Sequence, residues 1–232
     1  MIPSGTTIFF ALLGGILPAL LWLWFWLRED KLHPEPRWRL ILAFVGGMIA
    51  VPLVYPFERL SLNILGWSIW TVIAWAAIEE IAKYIAAHFT ALRSQDFKWP
   101  IDALEYLITT ALGFAAVENT LFILSPLTNG DIGQSIVTGN LRFIGATLVH
   151  VTSSAVLGYF IGRKFYARKW ISKAWARILG LTAAIALHSV FNYFIIYRNS
   201  AQIFIIFGFV WAAAIVLLIL FEQIKKLPKT KS

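Results

Sequence analysis

The chain has 232 residues, of which 59% are hydrophobic and 14% charged, with a formal net charge of +8 and no cysteine. A soluble domain carries roughly a quarter charged residues, and a soluble chain of this size has too little interior for so much apolar surface, so lipid is its natural solvent. The missing thiols exclude disulfides and thiolate chemistry, and the basic residues, set in short blocks between apolar runs, indicate topology control and argue against nucleic-acid binding.

A spanning helix needs about 20 mostly apolar residues, and seven stretches qualify: about 6–27, 38–57, 67–88, 102–124, 138–162, 175–197 and 201–221. The first, with Ile8 to Leu27 at its heart, has no basic residue before it and no small-residue cleavage site after it, so it reads as a helix of the mature chain and not as a secretory signal. The second ends near Pro56, Phe57 and Glu58. The third holds Glu79, Glu80 and Lys83, and the fourth opens on Pro100 and Asp102, which suit a first helical turn, and holds Glu118 and Asn119. The fifth carries His150, Ser153 and Ser154, and the sixth His188, Ser189 and Asn192. Little more than Tyr197 to Ser200 separates the sixth from the seventh, which predicts an antiparallel hairpin. With no repeat or linker, residues 1–232 form one transmembrane domain, whose four polar helices, about 67–197, are the expected catalytic core.

The charges orient this all-α, seven-helix, polytopic membrane protein. With Lys83 set aside as lying inside a span, Lys and Arg on alternate sides number 16 against 3. Cytoplasmic loops collect these residues, which places the N-terminus outside and the C-terminus in the cytoplasm. Trp38, Trp67, Trp99 and Trp175 stand where spans meet water.

Ionisable groups inside spans cost roughly 2.5–3.5 kcal/mol each on insertion scales. Here they fall in four of the seven spans, at depths that would let them meet if those helices pack as neighbours. Glu79 and Lys83 are four apart, in the orientation that suits an ion pair. Phe114 and Glu118, His150 and Ser154, and His188 and Asn192 are also four apart, so each helix presents a two-residue face. Glu79 and Glu80 point about 100° apart and cannot easily share one task. Each group also has a structural reading: Lys83 as an ion-pair tie between helices, Glu118 with Asn119 as an interhelical hydrogen-bonding pair, Ser154 or Asn192 as helix glue. The conjunction of three Glu, two His and one Asn has few purely structural uses.

Peptide hydrolysis requires an activated water, an acid for the leaving amine and a group to hold the oxyanion. No membrane serine sits in a Gly-x-Ser-x-Gly elbow, and His-Glu-x-x-His is absent. Two routes stay open. In one, Glu118, His150 and His188 hold zinc and Glu79 or Glu80 is the base; in the other, a Glu and a His activate water without a metal while His188 and Asn192 polarise the carbonyl.

Glu79-Glu80-Ile81-Ala82-Lys83 resembles the EExxK motif of the PrsW family of intramembrane proteases, and Gly113-Phe114-Ala115-Ala116-Val117-Glu118-Asn119 its FxxxE element. His150 with Gly158, and Leu187-His188-Ser189-Val190-Phe191-Asn192, resemble its two histidine-bearing helices. The family is similar in turn to the type II CAAX prenyl endopeptidases, whose patterns are EExxxR, FxxxH and HxxxN; Glu118 at the helix-four position favours the PrsW side. The resemblance implies a glutamate-dependent protease, with or without a metal, in a bacterial or archaeal cell membrane. It also implies a membrane-anchored protein substrate such as a single-span anti-sigma factor, cut outside the cytoplasm as the first step of a cascade. On it, Glu79 and Glu80 lead the catalytic candidates, Glu118, His150, His188 and Asn192 complete the site, and Lys83, Phe114, Asn119 and Ser154 support it. The rivals are a proton- or cation-coupled transporter, against which the absence of a repeated half counts, and a non-catalytic scaffold of the same fold.

Overall fold

The computed structural model describes residues 3–28, 34–197 and 203–227. The expected turn at Tyr197–Ser200 lies, from residue 198 on, outside them. All regular structure among the described residues is helical: α1 (Gly5–Trp26), α2 (Arg37–Leu65), α3 (Ile69–Ala87), α4 (Asp102–Thr128), α5 (Ile132–Leu141), α6 (Thr147–Arg163), α7 (Trp170–Tyr197) and α8 (Ile203–Lys225). Two π-helical turns, His88–Leu92 and Arg142–Ala146, follow α3 and join α5 to α6.

Six helical segments are long and apolar enough to cross a membrane, with α5, the π turn and α6 counting as one rod of 32 residues. The chain is therefore an all-α, multi-pass membrane protein. The remaining expected span is α3, whose Glu79, Glu80 and Lys83 keep it out of that set.

Local signals account for the ends. Ser4 and Ser68 cap α1 and α3 by accepting from the amides of Thr7 and Thr71, and Asp131 caps α5 by accepting from Gln134. Gly66, at φ 59°, turns the chain out of α2. Ahead of α4, Asp102 Oδ2 accepts from the amides of Lys98 at 2.7 Å and Trp99 at 2.8 Å. One boundary departs from expectation: α2 does not stop at Pro56 but continues through Pro52 and Pro56 to Leu65. Prolines are tolerated within membrane helices because neighbouring groups and small local adjustments re-satisfy the freed backbone. The Trp75 indole, which donates to the Glu58 carbonyl at 3.0 Å, ties this last part of α2 to α3.

The centre of the bundle is α4, buried along almost its whole length from Asp102 to Ala116. It packs against α1, α2 and α6; α6 in turn packs on α7 and α8, and α3 lies between α2 and α7. Small residues permit this closeness. A Cβ added at Gly47 of α2 would lie 1.9 Å from the Thr110 carbonyl oxygen, and one at Gly113 of α4 would lie 1.9 Å from that of Phe44. Gly47→Ala and Gly113→Ala should each force α2 off α4 and cost about 1–3 kcal/mol, read as a lower thermal midpoint in detergent. Gly208→Ala, with open space around it, should leave the midpoint unchanged.

A further polar contact lies at the edge of the spans, where the hydroxyl of Tyr106 in α4 donates to Oε2 of Glu35, a residue outside the spans just ahead of α2. Burial, with Asp102 nearby, pushes the Glu35 carboxyl up to about 8. Between about 4.5 and about 8 the folded chain thus binds a proton that the unfolded chain has released, so this group's contribution to stability falls as pH rises through that window. Glu35→Gln should flatten the decline of the thermal midpoint between pH 5 and pH 8; an unchanged slope would show that Glu35 does not cause it.

Candidate active site

α3, α4, α6 and α7 bring their ionisable side chains into one cluster, as the sequence expectation of neighbouring helices requires. Lys83, wholly buried, donates to Glu80 Oε1 at 2.6 Å. The expected partner was Glu79, four residues back; the structure pairs Lys83 with the residue three back. Both spacings share a helix face, and Glu80 is the carboxylate held in place from the other helices. Its Oε1 also faces His188 Nδ1 at 2.9 Å, and its Oε2 accepts from the Ser154 hydroxyl at 3.2 Å. Glu80 is thus engaged from α3, α6 and α7 together.

Glu118 does the matching work on His150. Its Oε2 faces His150 Nε2 at 2.7 Å and accepts from Arg142 Nη2 at 2.6 Å. Arg142 Nε donates to Asn119 Oδ1 at 2.6 Å, and Asn119 Nδ2 donates to the Thr147 hydroxyl at 3.0 Å. Phe114 packs beside His150, ring centroids 5.5 Å apart, and lies 5.1 Å from the Lys83 ammonium.

Each imidazole thus has one nitrogen set against a carboxylate, His188 Nδ1 on Glu80 and His150 Nε2 on Glu118. The hydrogen-bond partners assign the protons there, which leaves lone pairs on His188 Nε2 and His150 Nδ1. Both nitrogens lie 3.8 Å from the same atom, Glu79 Oε2, and His150 Nδ1 also accepts from Lys83 Nζ at 3.1 Å. That oxygen is buried and accepts no hydrogen bond. One ligand atom from each of Glu79, His150 and His188 lies within 4.8 Å of the others, close enough to hold a metal ion.

The donor set fits a metal on three counts. A buried carboxylate oxygen without a donor is costly. Carboxylate-held imidazoles are the usual outer partners of metal-ligating histidines. Finally, three carboxylates (Glu79, Glu80, Glu118) face two fixed cations, Lys83 and Arg142, which leaves room for more positive charge.

The sequence expectation placed Glu118 with the two histidines as ligands, whereas Glu79 occupies that position and Glu118 lies on the far nitrogen of His150. Asn192 is half-buried one turn beyond His188 and makes no hydrogen bond to the cluster. Two nearby residues were not anticipated. Arg142 counted as a loop charge, and Glu58, taken as the end of a span, is half-buried inside α2 and interacts electrostatically with Glu118. The clue to Glu58 is the hydropathy that resumes after Pro56; spacing on an ideal helix gives none for Arg142.

Residues 35–220 match the family described as PrsW family intramembrane metalloprotease. The chain belongs to this family. The PrsW proteases it is similar to include those of Oceanobacillus iheyensis, 26% identical over 183 residues (78% of this chain and 80% of that protein), and Clostridioides difficile, 26% identical over 203 residues (83% of each). That of Bacillus subtilis is 23% identical over 186 residues, 77% of this chain and 78% of its own length. No solved structure matches the chain. As a member of the PrsW family, the chain is an intramembrane protease, and its Glu79–His150–His188 group suits a family of metalloproteases.

The buried pair at the centre of the cluster invites a direct measurement. Lys83→Met leaves Glu80 without its cation inside the bundle and should cost roughly 3–5 kcal/mol. Glu80→Gln combined with Lys83→Met should recover part of that loss, so a thermal-melt cycle whose single changes simply add would contradict the pairing.

Proposed function

We propose that this PrsW-family protein cuts a single-span, membrane-anchored protein, an anti-sigma factor being the leading class, with Glu79, His150 and His188 holding a zinc ion. The observation that carries the proposal is the convergence of two carboxylate-oriented imidazoles on the orphaned Glu79 Oε2. Zinc in such a set supplies an activated water and polarises the scissile carbonyl.

The protein's own residues have separate tasks in this reading. Glu80, satisfied at both oxygens, orients His188 and neutralises Lys83. Glu118 is the proton carrier: its Oε2 is taken by Arg142 and His150, and its Oε1 is left to take a proton from water and hand it to the leaving amide nitrogen. Glu118 is 20% exposed and Arg142 15%, against 1% for Glu80 and 0% for Lys83, so the cluster opens on the Glu118 side. With seven spans, the N-terminus outside and the C-terminus in the cytoplasm, that mouth faces the outer half of a bacterial or archaeal cell membrane, where a bent-out segment of substrate would enter. Asn192, beyond His188, is suited to contact the bound peptide. The whole chain acts as one domain whose catalytic core is about 67–197.

A second reading, hydrolysis without a metal, has one contact in its favour. Lys83 Nζ lies 3.1 Å from His150 Nδ1, on the lone pair a metal would need. In that case Glu79 itself is the base.

Reconstitution with a tagged single-span substrate separates these readings. Glu79→Gln, His188→Gln and Glu118→Gln should each reduce cleavage at least about 100-fold, and chelator treatment should abolish it until zinc is returned. Cleavage that resists chelation but not Glu79→Gln selects the metal-free route. Cleavage that survives Glu79→Gln and His188→Gln rejects the site.

A further inference from the structure

Arg142 opens the π-helical turn that joins α5 to α6, eight residues before His150. On a regular helix, eight residues rotate a side chain through about 800° and leave it roughly 80° off the starting face. A π turn takes up one additional residue, so Arg142 stands to His150 as the seventh residue before it would, roughly 20° off the same face. The turn is pinned at its exit. Both the amide and the hydroxyl of Thr147 donate to the Arg142 carbonyl, the hydroxyl at 3.0 Å, and Asn119 holds that hydroxyl from α4.

The side chain closes the same loop from its other end. Its guanidinium lies 3.9 Å from the Phe122 ring centroid and forks onto adjacent residues of α4, Asn119 Oδ1 and Glu118 Oε2, at 2.6 Å each. The oxygen it takes on Glu118 is the one that faces His150 Nε2. Glu118 is the most exposed carboxylate of the three. Without the guanidinium, His150 Nε2 is the one remaining hydrogen-bond partner of Glu118 among the described residues. On its other side His150 Nδ1 accepts from Lys83 Nζ at 3.1 Å, which keeps the proton on Nε2 in either case, so what Arg142 controls is the acceptor that proton meets.

We propose that Arg142 is a positioning residue for hydrolysis. By fixing Glu118 it keeps the His150 Nε2 proton hydrogen-bonded to a carboxylate and the ring oriented with Nδ1 toward Glu79 and His188. This rests on the reading of Glu79, His150 and His188 as the metal-holding set, and it adds that the set is tuned from outside the polar motifs. Lysine cannot replace arginine here, because one ammonium does not reproduce a planar fork onto two neighbouring acceptors.

The full chain in lipid nanodiscs provides the test, with two readouts on wild type, Arg142→Gln and Arg142→Lys. Zinc retention against a graded chelator should fall about 10–100-fold in Arg142→Gln, the range seen when outer partners of metal-bound histidines are removed, with Arg142→Lys between. Nitrogen-15 histidine spectra of the zinc-free protein, with the His150 signal assigned by its loss in His150→Gln, should show the proton on Nε2 in wild type. In Arg142→Gln that proton should stay on Nε2 but lose its carboxylate-bonded shift and exchange faster with water. If Arg142→Gln does not fold, Arg142→Lys carries the same comparison. Variants that keep both wild-type zinc retention and the carboxylate-bonded Nε2 proton signal overturn the proposal. Wild-type protein that takes up no zinc removes the metal reading alone, and the Nε2 proton signal of His150 then decides the role of Arg142 by itself.

Discussion

Charge buried in a bilayer must be answered by other charge or by hydrogen bonds, since no water is present to do it. Most of the ionisable groups described in the middle of this bundle follow that constraint. Lys83 is answered by Glu80, Glu80 by His188 and Ser154 as well, and Glu118 by Arg142 and His150. Because the partners lie on different helices, the demand for pairing fixes how α3, α4, α6 and α7 sit. Glu79 is the exception, with a buried oxygen facing two lone pairs and no donor. A site that satisfies its neighbours and leaves one acceptor open has room for something positive.

The apolar frame serves the same end. α4 is buried nearly throughout and carries Phe114, Glu118 and Asn119, so it is the rod against which the polar contacts are measured. The glycine contacts between α2 and α4 bring backbones close without interposed side chains. Packing of that kind resists sliding, and distances near 3 Å between groups on separate helices survive only where sliding is resisted.

Much of this was legible in the sequence because both the helical spans and the cost of charge within them are read from residue type alone. Glu79, Glu80, Lys83, Glu118, His150 and His188 stand out as charges or imidazoles where apolar residues belong, and they do converge. What was not legible came from geometry that regular periods do not encode. Lys83 has acceptors three and four residues back, and the choice of Glu80 depends on where His188 and Ser154 arrive from other helices. The exchange of Glu79 for Glu118 beside the imidazoles depends on rotamers. Pro56 reads as a terminus although neighbouring groups carry α2 past it, which hid Glu58. Arg142 falls off the His150 face on an ideal helix and returns to it through a π turn that no residue in Arg142–Ala146 announces.

The low apolarity of α3 affects how the protein is made. Three charges in 19 residues cost roughly 8–10 kcal/mol at insertion, so lipid retains this segment poorly until companions shield it. α2 comes first and packs along it, and the Trp75 indole on the Glu58 carbonyl is an early clasp between them. The remaining shields come late in synthesis: Ser154 and His150 on α6, then His188 on α7. Until α7 is in place Glu80 lacks its imidazole and Glu79 one of the two it faces, so the polar cluster is completed only by the last of its four helices to be made.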